Sequence, residues 1–146
     1  MTALDWQQID TVLLDMDGTL LDLHFDNYFW LQHLPKAYAA HHNLSHEQAM
    51  AELNKSFTSL RGTLNWYCLD YWSELTGLDI IAMKHDIQHK IGFRPHVQDF
   101  LQQLLRQGKR RVIVTNAHRD GLDLKMQQTG LDQLVDRIIS SHDYRE

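Results

Sequence analysis

The stretch "VLLDMDGTLLD" at residues 12–22 constrains this chain more than any other: an apolar run ends in two aspartates one residue apart, followed at once by glycine and threonine. The run is too short for a core helix and stops at a glycine turn, so residues 9–15 read as a short buried strand. Two carboxylates that close repel, and each prefers water to a protein interior. Asp15 and Asp17 therefore point to something at the strand end that wants negative charge. A turn with solvated carboxylates is the plain alternative, and Gly18 and Thr19 beside a strand weigh against it.

From residue 26 to residue 90 the chain reads as helical. "DNYFWLQHLPKAYAAHH" is limited or kinked by Pro35. "SHEQAMAELNKSFTSL" opens on Ser45 with glutamate and glutamine in its first turn. "TLNWYCLDYWSELTG" stops at Gly77, and "LDIIAMKHDIQHKI" runs to Gly92. The pattern then changes. "PHVQDFLQQLLRQG" is an amphipathic helix between Pro95 and Gly108, "KRRVIVTNAH" a second strand, "RDGLDLKMQQTG" a helix, and a third strand falls around residues 137–140. Strand, helix, strand, helix, strand with helices inserted after the first strand is a parallel α/β layout.

Composition serves to exclude. The formal net charge is -5, and no run of Lys or Arg exceeds residues 109–111, which argues against a nucleic-acid polymer or an anionic membrane as partner. No apolar stretch approaches membrane-spanning length, and the opening residues carry no signal-peptide pattern. The single cysteine, Cys68, forms no internal disulfide, which fits the cytoplasm.

Ligands of open parallel sheets bind beyond the carboxyl ends of the strands. Asp15 and Asp17 end the first strand, and Thr115 and Asn116 end the second. If those strands are neighbours, carboxylates and a hydroxyl converge on one crevice, where Mg²⁺ would relieve the repulsion and help hold a phosphate. A carboxylate beside a metal and a phosphate can act as nucleophile, and a second can shuttle the proton. Gly18 lets the backbone turn sharply and approach the phosphate.

"DMDGTL" followed by "VTNAH" resembles the first two motifs of the haloacid dehalogenase-like (HAD) hydrolases. The resemblance implies an incomplete Rossmann-like α/β core of three parallel strands at residues 1–22 and 92–146, with an all-helical cap at residues 23–91. It implies Asp15 as nucleophile, Asp17 as acid/base, Thr115 and Asn116 as phosphoryl ligands beside Gly18, and Mg²⁺ held by the Asp15 side chain and the Asp17 carbonyl. "FDNYFW", "TLNWYCLDYWSE" and "GLDI" are similar to the GMP/IMP nucleotidase branch, implying a small phosphomonoester substrate, a purine nucleoside 5′-monophosphate; phosphoglycolate or a sugar phosphate is the alternative.

The family also uses a lysine after the third strand and an acidic pair after a fourth, and the chain stops short of both. It therefore reads as C-terminally truncated, an impaired enzyme or a non-catalytic remnant, with its first strand left as an apolar edge inviting self-association. Lys125 reads as a surface residue of the helix after the second strand, not a substitute for the absent lysine.

Other candidates compete with plainer roles. Trp66, Tyr67 or Trp72 could stack a base, but Leu64, Cys68, Tyr71 and Leu75 at helical spacing favour a packed stripe, with Cys68 a small core residue inside it. Asn27 and Tyr28 could lie near the substrate or simply open a helix. His85 and His89 are spaced to share one helix face, and His41, His42 and His46 form a loose cluster; exposed histidines without a third metal ligand are the better reading.

Overall fold

A computed structural model describes residues 4–144. Its single sheet comprises β1 (Thr11–Leu14), β2 (Arg110–Thr115) and β3 (Arg137–Ser140), all parallel, in the order β1-β2-β3. Register pairs Leu14 with Ile113 and Thr115 with Ser140, so the three strands end together along one rim. Parallel strands need long crossovers, and the chain supplies helices for them. Helices α1 (His24–Tyr28) to α5 (Ile80–Asp86), then α6 (Val97–Arg106), lie between β1 and β2, while α7 (Arg119–Thr129) joins β2 to β3. β1 is one edge of the sheet, as the resemblance implies, with Leu13 69% exposed. Arg111 on β2 is buried and forks onto Asp136, fixing the entry to β3.

Local chemistry explains the inserted helices. α1 continues through a π-turn (Phe29–His33) into α2 (Leu34–His42), placing Pro35 in the first turn of α2. Proline lacks the N–H for a regular bond and its ring crowds the carbonyl four residues back; a wider turn ahead of it accommodates both. α2 ends at Asn43 in a left-handed conformation, φ 54°. α3 (His46–Leu60) opens on a complete capping box, Ser45 Oγ accepting from Gln48 N and Gln48 Oε1 from Ser45 N.

Two expected helices are interrupted. Residues 64–76 form a short 3₁₀ turn (Leu64–Tyr67) and then α4 (Leu69–Thr76), with Cys68 extended between them at ψ 105°. The break lets the Trp72 indole donate to the Trp66 carbonyl at 2.9 Å, and Trp30, Phe57, Trp66 and Trp72 close into one aromatic cluster. The expected stripe is thus not one helix face: Leu75 is 44% exposed, and Trp72 is the fully buried residue. Cys68 is buried, but at a junction and not inside a helix. Likewise α5 stops at Asp86, so His85 and His89 share no helix, and both are exposed.

One apolar core runs from Leu14 and Ile113 of the sheet through Phe25, Phe29 and Leu34 to Trp72 and Ile80 of the inserted helices. No helix among the described residues is long and apolar enough to cross a membrane. Trp72→Ala should cost about 3–5 kcal/mol by emptying the centre of the aromatic cluster, and Ser45→Ala about 1 kcal/mol by removing the α3 cap. Urea denaturation of both variants checks the ranking, which fails if the cap change costs more.

Candidate functional site

Asp15 follows directly on β1 and its side chain is exposed at the sheet rim, one oxygen accepting from Met16 N at 2.8 Å. The chain then turns back. Gly18 takes φ 79°, a left-handed conformation in which any side chain is strained, and its N–H donates to the Leu21 carbonyl at 2.8 Å. Arg94 braces the turn, its guanidinium donating to the Gly18 carbonyl at 3.2 Å and its backbone N–H to that of Leu20 at 3.0 Å. On the neighbouring strand, buried Thr115 accepts from Ala117 N at 3.1 Å, so its hydroxyl orders the β2–α7 connection and keeps a proton to donate; Asn116 beside it is exposed. The strands are neighbours, as the sequence reading requires, and the two motifs leave the same end of the sheet.

Asp17 points the other way, into a cluster in which it is one of four charges. The Lys125 ammonium donates to Asp17 and to Asp26, at 2.7 Å each, and Lys84 reaches the other Asp26 oxygen at 3.3 Å. Both lysines are buried. This corrects the expectation for Lys125: it is not a surface residue but the bridge between the aspartate motif and α1. Its register gives the reason, since Lys125 lies three and four residues from Leu122 and Gly121 and so falls on the inward stripe of α7. Lys84 shares such a stripe with Ile80 and Ile87, and sits 4.5 Å from the Phe29 ring centre. The signal for both was position on an apolar face, which residue identity masks. Asp26, absent from the sequence reading as a site residue, is marked only by its place in the first turn of α1.

Burial and charge set the protonation of the four groups. For Asp17, burial outweighs the ammonium of Lys125 and raises the pKa above the ordinary carboxylate value. Burial also acts on Asp26, but Lys125 and Lys84 together overcome it and hold the pKa low. Lys125 is kept charged against its burial by Asp26 and Asp17. Lys84, with only Asp26 in contact, is pushed down by burial to about 8.

These charges floor a cavity of about 280 Å³ between the sheet rim and the inserted helices. Trp30, Trp66, Tyr67 and Leu69 wall it, and Asn27 and His118 also line it. Asp15, Thr115 and Asn116 lie outside that lining, as do Trp72 and Tyr28. The arrangement thus joins an exposed carboxylate at the rim to a second one inside an aromatic-walled pocket. The donors at the rim, carboxylate and carbonyl oxygens, suit a hard divalent cation, and among the described residues no ion pair engages Asp15.

Comparison with known proteins adds family evidence. Residues 9–145 match the profile of the haloacid dehalogenase-like hydrolases. The GMP/IMP nucleotidase YrfG of Escherichia coli (strain K12) is 46% identical over 139 residues, and its namesake in Shigella flexneri matches equally. Those alignments cover 95% of this chain and 63% of each relative, so the chain spans less than two thirds of the curated relatives it matches. Among solved structures, a HAD phosphatase from Thermococcus onnurineus superposes with a TM-score of 0.79 at 25% identity, over 92% of this chain and 63% of that one. L-2-haloacid dehalogenase from Xanthobacter autotrophicus shares the fold, with a TM-score of 0.54 at 20% identity over 94% of this chain and 59% of its own.

The two lysines should respond unequally to removal. Lys125→Met strands Asp17 and leaves Asp26 with Lys84 alone, and should cost about 3 kcal/mol, whereas Lys84→Met leaves Asp26 paired with Lys125 and should change stability by less than about 1 kcal/mol at pH 7. Between pH 8 and 10.5 the unfolded chain holds a proton on Lys84 that the folded chain has released. Wild type should therefore gain stability relative to Lys84→Met across that window. Urea denaturation at pH 7 and pH 9.5 measures it, and a gap that is flat or moves the other way contradicts the burial argument.

Proposed function

Since the chain belongs to the haloacid dehalogenase-like hydrolase family, we propose that it is a phosphomonoesterase working through an aspartyl-phosphate, with residues 23–91 forming a cap over a core of residues 1–22 and 92–146. The observation that carries this is the placement of Asp15 and Asp17 just past β1, beside Thr115 at the end of its parallel neighbour. Asp15, exposed, attacks phosphorus and displaces the leaving alkoxide. Asp17, with a carboxyl pKa raised by burial, donates the proton that the alkoxide takes and then accepts one from the water that cleaves the acyl-phosphate. Lys125 holds Asp17 in place during both steps. The hydroxyl of Thr115, with Asn116 and the backbone at Gly18, receives the phosphoryl oxygens. The oxygen donors of Asp15 and of the Asp17 carbonyl fit Mg²⁺, which when bound neutralises phosphate charge.

The substrate we favour is a purine nucleoside 5′-monophosphate. Trp30, Trp66 and Tyr67 offer flat apolar walls to a base, and YrfG, 46% identical, is named a GMP/IMP nucleotidase. The single cysteine fits a reducing compartment, the cytoplasm. Phosphate release from GMP, IMP and glycolate phosphate, with Mg²⁺ and with EDTA, tests the reading. Release should favour the nucleotides, require Mg²⁺ and vanish in Asp15→Asn, while Asp17→Asn should lower kcat by about 10²–10⁴. Wild-type turnover no greater than that of Asp15→Asn would make the chain a non-catalytic member of the family.

The edge position of β1 and an exposed apolar face beside it support self-association. Leu13 and Val114, which the parallel register puts on one face, are 69% and 44% exposed. Sedimentation should show concentration-dependent association that Leu13→Lys suppresses; a wild-type monomer at all concentrations would rule this out.

A further inference from the structure

We propose that Cys68, His118 and His142 form a binding site for a zinc-class divalent ion, separate from the hard-cation site at Asp15. The three come from different segments. Cys68 sits at the junction before α4, His118 at the cap of α7 just after the β2 motif, and His142 in the 3₁₀ turn (Ser141–Tyr144) that follows β3. Their ligand atoms all lie within 4.8 Å of one another. A tetrahedral zinc site with one sulfur and two nitrogens needs separations of about 3.3–3.6 Å, so the three side chains close on an ion by rotamer adjustment and not by rearranging the fold.

The surroundings are those of a built site. Cys68 is buried, His142 is half-buried, and the rings of His118 and His142 meet edge to face with centres 5.1 Å apart. Asp70 and Asp120 flank opposite ring nitrogens of His118, at 3.4 Å from Nε2 and 3.7 Å from Nδ1. These carboxylates gather on His118 and not on the other two ligands, so their part is to steady the ring nitrogen that does not bind metal, and the three side chains supply three ligands of a four-coordinate ion. The support beneath His142 is also fixed. Ser140 Oγ donates to the Ala117 carbonyl at 2.7 Å and accepts from His142 N at 3.2 Å, and Arg119 pairs with Asp143.

Thiolate and imidazole select zinc, cobalt or similar ions over Mg²⁺, which prefers oxygen. This ion would tie α4 of the inserted helices to the loops after β2 and β3, beside the cavity that His118 and Leu69 line. The inference is independent of the phosphatase reading, since it concerns ligation and not turnover.

Cobalt titration of the metal-free chain tests it in millimolar Mg²⁺. One equivalent of Co²⁺ should give visible bands of a four-coordinate ion and a near-ultraviolet thiolate charge-transfer band, both bleached by one equivalent of Zn²⁺. Cys68→Ser should abolish the charge-transfer band, and His118→Gln and His142→Gln should each weaken Co²⁺ binding at least tenfold. Zn²⁺ should also raise the Tm of wild type and not of Cys68→Ser. A wild-type spectrum without the thiolate band overturns the site, whatever the variants do, as does Co²⁺ affinity unchanged in both histidine variants.

Discussion

The buried ammonium of Lys125 is the contact on which the geometry of this molecule depends. It stands between two carboxylates that belong to distant parts of the chain, Asp17 just after β1 and Asp26 on α1, and it reaches both from α7. Each of the three charges would be costly to bury alone. Together they make one polar joint, so the aspartate loop, the first inserted helix and the β2–β3 crossover can be positioned only in concert. Lys84 adds a fourth charge from α5, in contact with Asp26 and with aromatic faces. The cavity forms where these elements meet because its floor is the joint itself.

The sheet supplies the second constraint. Parallel pairing makes every strand end on the same side, so anything placed just past a strand converges with its counterparts: Asp15 after β1, Thr115 closing β2, His142 after β3. Two kinds of donor gather on this rim. Oxygens cluster after β1, whereas nitrogen and sulfur cluster between α4 and the loops after β2 and β3. The division is chemical as well as spatial, since hard and soft ligands do not compete for the same ion.

Much of this was legible in the order of residues, and what was not has identifiable causes. The strand at Arg137–Ser140 and the helix opened by Ser45 carry local signals, an apolar run and a reciprocal cap, that need no knowledge of the rest of the chain. The break at Cys68 does not. It depends on Trp72 finding the Trp66 carbonyl and three aromatic neighbours, a tertiary preference that overrides helical spacing. Lys125 escapes sequence inspection for a similar reason: its partners lie 108 and 99 residues away, and a lysine judged by identity looks solvated. Of the candidate site residues, those of the aspartate motif were visible because like charges beside an apolar strand are conspicuous. Asp26, with its charge compensated at a distance, was not.

The π-turn at Phe29–His33 has an effect beyond accommodating Pro35. One turn there holds an extra residue, so everything after it is rotated about the helix axis by about 100° relative to an uninterrupted rod. The α1 end presents Asp26 and Asn27 to the cavity, while the α2 end delivers Leu34 to the core and Tyr38 to Glu52 of α3. The segment behaves as a shaft with a fixed angular offset between its two ends. Exchanging side chains along it leaves that offset alone, whereas removing one residue between positions 29 and 33 would keep both ends helical and turn one of them away from its partners. In this part of the molecule it is the count of residues, more than their identity, that keeps the cavity and the core in phase.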